Sequence, residues 1–259
     1  MLNFRNVNIF FVLLLIMLVF IGRSQHIGWG MYILLVSIFF AVQFYGCYFI
    51  NSGFHIKAYC EKKTDKKEIA ITFDDGPDNT LTPKILNILR EFYAPAAFFC
   101  IGKKIKGNES LLVQMYKENH IVGNHSDSHA MWFDLFSAER MTKDISEAGK
   151  KIHAVIGMQP KFFRPPYGVT NPNLRRAVSR LKYLTMGWNL RSLDTALKDE
   201  EKIFRRITGK IKPGSVILLH DTIKETEIML PKLLFWLREN QYKVVRMDEL
   251  FNLTAYEKA

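Results

Sequence analysis

Acidic residues are absent from the beginning of this 259-residue chain. Residues 1–50 contain no Asp, no Glu and no Lys, and their formal charges are Arg5 and Arg23. Such a stretch has no polar face with which to form an amphipathic surface helix. All 25 acidic residues and 34 of the 36 basic residues follow in residues 51–259, an excess of nine positive charges. The chain is thus divided into an apolar beginning and a charged remainder that is long enough to bury one large core.

Cysteine is also scarce. Cys47, Cys60 and Cys100 have no paired spacing that would indicate a disulfide framework, and we interpret them as small apolar residues. Internal repeats and low-complexity tracts are absent, and the Lys and Arg residues are not clustered with aromatics as in a nucleic-acid-binding module. Nucleic acid is therefore not an expected partner. The positive excess is compatible with an anionic polymer or a membrane surface.

Two long apolar runs lie in the first 50 residues. Residues 7–22 and 29–50 are predicted to cross a membrane as a helical hairpin, since a bilayer requires about 20 apolar residues. The first run could be a cleaved signal peptide, but the sequence GRSQ that follows it is not a convincing small-x-small cleavage site. Lysines just beyond the second run favour a cytoplasmic position for the rest of the chain, although long domains are translocated with little regard for charge. Charge alone leaves the orientation open.

The remainder alternates between strand and helix patterns. We predict a polar, Lys-rich linker over residues 51–67 and one domain over residues 68–259. Apolar runs predict strands, and helical periodicity predicts the segments between them. The predicted strands are Glu68–Phe73, Ala96–Ile101, Ile121–His125, Phe162–Arg164, Leu184–Asn189, Val216–His220 and Lys243–Arg246. The predicted helices are Thr82–Tyr93, Ser110–Asn119, Ser137–Ile156, Asn173–Leu181, Glu200–Ile211 and Thr226–Asn240. This alternation is typical of an α/β fold with a mainly parallel sheet, closed as a barrel or open and doubly wound.

Reactive side chains fall at the carboxyl ends of these predicted strands. In parallel α/β folds that edge of the sheet is where binding and catalytic sites are built. The residues placed there are Asp74, Asp75, His125, Arg164, Trp188 and His220. Asp74 and Asp75 are adjacent, so we expect them to point into different environments and to have different roles.

The sequence Asn124-His-Ser-Asp-Ser-His129 suggests a metal site. Its two imidazoles are four residues apart, and on a helical turn both rings could reach one ion. A carboxylate from the Asp74–Asp75 pair would complete a two-histidine, one-carboxylate set that leaves positions open for water and substrate. The alternative interpretation is a pair of surface or capping histidines.

Two further motifs carry groups that could serve catalysis. In Phe162-Phe-Arg-Pro-Pro-Tyr-Gly168, two prolines and a glycine would hold Tyr167 rigidly, with its N–H available to a developing oxyanion. A rigid turn that closes a strand is the alternative. His220 ends the run Ser215-Val-Ile-Leu-Leu-His-Asp221 and could donate a proton to a leaving amine, provided its pKa lies near the working pH. Alternatively, it is a satisfied core histidine.

Taken together, TFDDGP, HSDSH, RPPYG and LLHD, in this order, resemble the polysaccharide deacetylase (NodB-homology) superfamily of carbohydrate esterases over roughly residues 66–250. The resemblance implies a distorted (β/α)7-type barrel, here preceded by two transmembrane helices, and a divalent metal, usually Zn²⁺, with Co²⁺ or Mn²⁺ as alternatives. Residues 68–259 would then form a deacetylase catalytic domain. The metal would polarise the amide carbonyl, and the products would be acetate and a free amino sugar.

The resemblance also assigns roles to individual residues. It makes Asp75, His125 and His129 metal ligands, Asp74 the general base and His220 the general acid. Arg164 would orient Asp74, the Tyr167 N–H would share the oxyanion, and Trp188 and Leu218 would line the pocket for the acetyl methyl group. The segment Trp188-Asn-Leu-Arg-Ser-Leu-Asp194 departs from the Asp-x-x-Asp-Trp pattern of many relatives. Asp194 is nevertheless the expected partner of His220, with Arg191 or Asp221 as alternatives.

The expected function is removal of N-acetyl groups from a GlcNAc-containing polysaccharide or oligosaccharide by a membrane-anchored enzyme. An O-acetyl esterase on acetylated glycans and a non-catalytic glycan-binding membrane protein are the alternatives. The presence of both Asp74 and His220 disfavours the non-catalytic alternative. The expected partners are the acetylated amino-sugar polymer or oligomer and the membrane. An envelope substrate would place the catalytic domain on the periplasmic or outer side.

Overall fold

The computed structural model describes residues 3–257. Its helices are α1 (Phe4–Gly22), α2 (Trp29–Tyr48), α3 (Thr82–Glu91), α4 (Glu109–Lys117), α5 (Ala138–Ile156), α6 (Pro172–Arg180), α7 (Glu200–Thr208), α8 (Lys224–Glu239) and α9 (Met247–Phe251). Its strands are β1 (Ala58–Tyr59), β2 (Glu68–Asp74), β3 (Ala96–Cys100), β4 (Ile121–Asn124), β5 (Gln159–Pro160), β6 (Phe162–Phe163), β7 (Leu184–Met186), β8 (Leu190–Arg191), β9 (Val216–His220), β10 (Lys243–Val244) and β11 (Tyr256–Glu257).

Helices α1 and α2 form an antiparallel hairpin that is long and apolar enough to cross a membrane. Only 6% of each span is buried, so these helices are not core elements of a soluble fold. Polar contacts inside the hairpin are few, and one of them is the hydrogen bond from Gln43 Nε2 to Asn8 Oδ1 at 3.1 Å. Most apolar side chains on the outer faces of the hairpin are therefore exposed.

The main sheet is parallel and strongly curved, with the strand order β1-β7-β6-β4-β3-β2-β9-β8. The chain itself joins β7, the second strand of this order, to β8, the last one, through residues 187–189. Near the same place an isolated bridge joins Glu61, beyond β1, to Ser215, before β9. The sheet thus closes through covalent chain and a single bridge, and this confirms the predicted distorted barrel.

Both faces of the sheet are covered, which explains why its strands are continuous apolar runs. Along β2, Ile69, Ile71 and Phe73 pack outward in a large cluster with the surrounding helices. Ala70 belongs to a second cluster with Phe99 and Phe162. Because side chains alternate along a strand, Thr72 and Asp74 share the face of Ala70, opposite the helix-facing cluster. The alternation therefore directs Asp74 toward the barrel interior.

The six helices predicted for the catalytic domain are present, each end within three residues of the predicted position. The strand predicted from Leu184 to Asn189 is shorter in the structure, where β7 ends at Met186 and a separate strand, β8, begins at Leu190, just beyond the predicted end. The short strands β1, β5, β8 and β11 and the short helix α9 were not predicted. Part of the stretch predicted as a linker belongs to the sheet, since β1 pairs in parallel with β7 through Ala58 and Tyr59.

Candidate metal centre and active site

The pairing of the strands brings the predicted site residues to one edge of the sheet. Asp74, the last residue of β2, lies in register with His220, the last residue of β9. His125 follows the end of β4, and Arg164 follows the end of β6. The backbone of Arg164 is tied to this edge by its N–H, which donates to the carbonyl of Asn124 at 2.9 Å. The barrel thus gathers residues that are separated by up to 146 positions in the sequence.

Asp75, His125 and His129 form a cluster whose donor atoms all lie within 4.8 Å of one another. Asp75 Oδ1 is 3.5 Å from His125 Nε2 and 3.2 Å from His129 Nε2. Two ligands bound to zinc at 2.0–2.1 Å with a tetrahedral angle are about 3.4 Å apart. The two imidazoles and the carboxylate therefore fit a divalent cation in both chemistry and spacing.

The two histidines converge through an irregular loop, and the predicted helical turn is wrong. Ser126 and His129 have positive φ angles of 65° and 44°, which a right-handed helical turn does not allow. Side chains replace the missing helical hydrogen bonds. Ser126 Oγ accepts the His129 N–H at 3.0 Å, and Asp144 Oδ1 accepts the Asp127 N–H at 2.7 Å. These acceptors stabilise a loop that helical periodicity does not describe.

The surroundings of the cluster keep its donor atoms available. His125 Nδ1 lies 2.7 Å from the carbonyl oxygen of Arg164. A carbonyl only accepts, so Nδ1 donates to it, and Nε2 is the ring nitrogen that faces Asp75 in the cluster. Burial and the neighbouring His125 lower the pKa of His129 to about 4, so this ring is neutral at pH 7. Burial alone would raise the pKa of Asp75, but the two imidazoles lower it below its ordinary value.

Asp74 is held by a completely buried arginine. Arg164 Nη1 donates to Asp74 Oδ1 at 2.7 Å and to Thr72 Oγ1 at 2.8 Å. Its Nη2 donates to the Gly187 carbonyl at 2.8 Å. The guanidinium also lies 4.1 Å from the centre of the Phe99 ring. With one carboxylate oxygen fixed in this way, the other, Oδ2, lies 3.8 Å from His125 Nε2 at the cluster.

His220 faces the cluster from β9 and is paired with Asp194. Its Nδ1 lies 2.8 Å from Asp194 Oδ1, and its backbone N–H donates to Asp194 Oδ2 at 2.8 Å. Thr226 Oγ1 and Ser192 Oγ also donate to this carboxylate. Burial lowers the pKa of His220, but the hydrogen bond and charge of Asp194, with Asp74 and Asp75, raise it above its ordinary value. The alternative partner Asp221 is instead bound by Thr82 Oγ1 at 2.6 Å.

A pocket of about 230 Å³ connects these groups. Tyr167, with φ 59°, and Gly168, with φ 72°, form a tight turn above it. The hydrogen bonds of that turn come from the N–H groups of Gly168 and Val169, not from that of Tyr167. A Cβ on Gly168 would lie 2.4 Å from the Trp188 ring, so only glycine permits this contact. The pocket is lined by Asp74, Asp75, His125, His129, Tyr167, Gly168, Trp188, Arg191, Thr195, Leu218 and His220.

Several supporting residues were missed by sequence reasoning. Ser126, Asp144, Thr72, Ser192 and Thr226 each hold a functional side chain or the loop that carries one. Small polar residues are common on surfaces, so their types alone carry no signal. For Thr72 the position is a usable signal, because this residue lies two residues before Asp74 and therefore on the same face of β2.

Comparisons with known proteins agree with this geometry. Residues 61–186 match the family described as polysaccharide deacetylase. A peptidoglycan-N-acetylglucosamine deacetylase of Bacillus cereus is 36% identical over 195 residues, which cover 73% of this chain and 91% of the relative. A peptidoglycan-N-acetylmuramic acid deacetylase of Bacillus subtilis is 31% identical over 195 residues, which cover 75% of this chain and 41% of that protein.

Solved structures show the same relationship. The crystal structure of a peptidoglycan N-acetylglucosamine deacetylase superposes with a TM-score of 0.73 at 26% identity, covering 76% of this chain and 94% of the other. The distorted barrel and the cluster of one aspartate and two histidines are consistent with a metal-dependent hydrolase of this kind. By sequence and by fold, the chain belongs to the polysaccharide deacetylase family.

Proposed function

We propose that the protein is a membrane-anchored, divalent-metal-dependent hydrolase that removes N-acetyl groups from a GlcNAc-containing polysaccharide or oligosaccharide. The observation that carries this proposal is the arrangement of two separate proton-handling pairs, Asp74–Arg164 and His220–Asp194, around one pocket that also contains the metal cluster. The relatives named above act on acetylated amino sugars of peptidoglycan, which supports an acetylated amino-sugar polymer as the substrate class.

Asp75, His125 and His129 would hold the cation, and a set of two nitrogen ligands and one oxygen ligand favours Zn²⁺. When bound, the cation supplies a Lewis acid at the acetyl carbonyl. Asp74 is the general base and takes a proton from the attacking water. Its Oδ2 is directed into the pocket because Arg164 holds Oδ1. Arg164 is thus a positioning residue, since it acts through Asp74.

His220 completes the reaction as the general acid. Collapse of the tetrahedral species breaks the C–N bond only if the departing nitrogen receives a proton, because an amide anion is a poor leaving group. Asp194 fixes Nδ1 of His220, so the opposite nitrogen, Nε2, is the one that delivers the proton. The Tyr167 N–H donates to the developing oxyanion, and Trp188 and Leu218 enclose the acetyl methyl group.

The membrane part of the proposal is supported by α1 and α2, each of which has the length and apolar character of a membrane span. Residues 1–50 would form the membrane hairpin, and residues 68–259 would form the catalytic domain. The family acts on envelope polymers in the relatives named above, and this favours a catalytic domain on the periplasmic or outer side. Accessibility of the domain to protease in intact cells tests that orientation.

Acetate release tests the activity directly. The purified full-length protein, loaded with Zn²⁺, is expected to release acetate from N-acetylated chitooligosaccharides and to lose this activity on treatment with a chelator. Re-addition of Zn²⁺, Co²⁺ or Mn²⁺ should restore it. A matched pair of an N-acetylated and an O-acetylated glycan distinguishes the amidase from the esterase alternative. Failure to release acetate from any acetylated glycan, despite bound metal, would favour a non-catalytic glycan-binding protein.

The alkaline limit of activity should depend on Asp194. His220 acts while protonated, so activity is lost as the pH rises through its pKa. Asp194→Asn removes a buried negative charge that raises this pKa, so the alkaline limb of the kcat/KM profile should move to lower pH. Ser192→Ala, which removes one hydrogen bond to Asp194 but keeps the charge, should move the limb little. An unchanged limb in Asp194→Asn would mean that His220 is not the acid.

A further inference from the structure

The catalytic pocket continues into a second recess of about 240 Å³ that reaches the end of α2. The far wall of this recess is formed by residues 48–51, where α2 ends and the chain enters the domain. The exposed aromatics Tyr48 and Phe49 lie in this wall. Aromatic residues at the end of an apolar span are typical of the membrane–water boundary. The two cavities share Tyr167, Trp188 and Arg191.

The second recess has a strongly positive lining. Arg191, Arg206 and Lys210 line it, and no Asp or Glu does. Within residues 3–257, none of these three cations forms an ion pair with an acidic side chain. Arg206 Nε donates to the carbonyl of Arg191 at 2.8 Å, which joins the two positions. Cations without acidic partners are suited to bind phosphate through charge-assisted hydrogen bonds.

The catalytic domain is fixed directly to the membrane hairpin at this place. The Thr170 N–H donates to the carbonyl of Cys47 at 2.9 Å, and Thr170 Oγ1 donates to that of Gly46 at 3.3 Å. Phe54 packs so closely on Gly46 that a Cβ there would lie 2.2 Å from its ring. Thr170 is three residues beyond Tyr167, a span of at most about 11 Å. The catalytic pocket is therefore held close to the end of a membrane span.

A loop on the same side of the domain exposes apolar side chains. Met131, Trp132 and Leu135 are 72%, 65% and 72% exposed. The loop is tied to the α2 contact by Asn171 Nδ2, which donates to the carbonyl of Asp134 at 2.6 Å. Three exposed apolar residues, one of them Trp, next to the end of a membrane span are suited to the lipid interface. The exposed apolar loop and the end of α2 are thus connected through the adjacent residues Thr170 and Asn171.

From these observations we infer that the substrate is an N-acetylated amino sugar that is joined through phosphate to a membrane lipid. The inference rests on the proposed deacetylase function and specifies its substrate class. The acetamido group occupies the catalytic pocket, and the phosphate lies among Arg191, Arg206 and Lys210. The lipid chain leaves the recess along Tyr48 and Phe49 into the bilayer.

The test compares two substrates that differ only in phosphate. One carries GlcNAc joined through a diphosphate to a long-chain prenol, and the other carries GlcNAc joined directly to the same alcohol. Acetate release by the full-length, zinc-loaded protein is measured in neutral detergent micelles. We expect kcat/KM to be at least about tenfold higher for the diphosphate substrate. The variant R206Q/K210Q should reduce this ratio by about tenfold.

A charge-matched variant controls for general attraction of anions. Lys57 and Lys182 line a separate basic recess of about 730 Å³ beside the start of α1, so K57Q/K182Q should leave the substrate ratio unchanged. Equal kcat/KM values for the two substrates would overturn the inference and leave the deacetylase function intact. A second result would also overturn the inference and leave the deacetylase function intact. Added phosphatidylglycerol would accelerate hydrolysis of the phosphate-free substrate, and R206Q/K210Q would abolish that acceleration, because the recess would then bind a phospholipid headgroup. Absence of acetate from both substrates and from chitooligosaccharides would overturn the deacetylase function and the inference together.

Discussion

Asp74→Asn is expected to abolish turnover while the protein still binds its metal. An amide cannot accept the proton of the attacking water, and loss of a general base typically costs about 10²–10⁴-fold in rate. The proposed metal ligands remain, since Asp75 and the two histidines are unchanged and Asp74 Oδ2 lies 3.8 Å from His125 Nε2. Metal content by atomic emission, measured beside steady-state acetate release, separates the two effects. Full activity in this variant would show that Asp74 is not the base.

The same substitution will also cost stability. Arg164 is completely buried, and Asp74 is the only acidic side chain among its hydrogen-bond acceptors in residues 3–257. Loss of the opposite charge should reduce the free energy of unfolding by about 1–3 kcal/mol. The loss is less than for a bare buried ion because Thr72 Oγ1 and the carbonyls of Met186 and Gly187 still accept hydrogen bonds from the guanidinium. Activity should therefore be measured well below the melting temperature. Asp78→Asn is the matched control, since Asp78 caps the start of α3 and does not line the pocket.

Much of the fold follows from sequence because its periodic signals are strong. The long buried strands β2, β3 and β9 are continuous apolar runs, and α5 begins at a Ser137 cap whose side chain accepts the Arg140 N–H. The short strands escape this reasoning. A two-residue strand such as β1 or β8 is set by its neighbours in the barrel and carries no period of its own. Closure of the barrel across residues 187–189 is for that reason a result of the structure.

The candidate site likewise has features that the sequence indicates and features that it does not. Residue types at strand ends indicate which groups meet, because parallel strands place their carboxyl ends at one edge. The path of the chain between His125 and His129 is different. It depends on hydrogen bonds to Ser126 Oγ and to Asp144, which lies on α5, 15 residues beyond His129. A side chain on a helix that holds a remote loop leaves no pattern in the sequence of the loop. The pairing of His220 with Asp194 is likewise a long-range contact, which sequence spacing alone does not specify.

Substitution of one histidine of the cluster should remove the metal and, with it, the activity. Structural zinc sites bind with about 10–16 kcal/mol over four ligands, so one ligand contributes about 3 kcal/mol, or roughly 10²-fold in affinity. His129→Ala is the cleaner variant. Its backbone N–H still reaches Ser126 Oγ, whereas the His125 ring also bonds the Arg164 carbonyl and its loss disturbs the arginine segment. Competition with a chromogenic zinc chelator measures the affinity directly, without reference to catalysis.

His153→Ala provides the matched control, because this histidine lies in the last turn of α5 and does not line the pocket. It should retain metal affinity and acetate release. In His129→Ala, the residual ligands Asp75 and His125 leave two of three donors, so excess Zn²⁺ should restore part of the bound metal but little of the turnover. Wild-type zinc affinity in His129→Ala would place the cation elsewhere. The cluster in which Asp75 Oδ1 lies 3.5 Å from His125 Nε2 and 3.2 Å from His129 Nε2 would then not be the metal site.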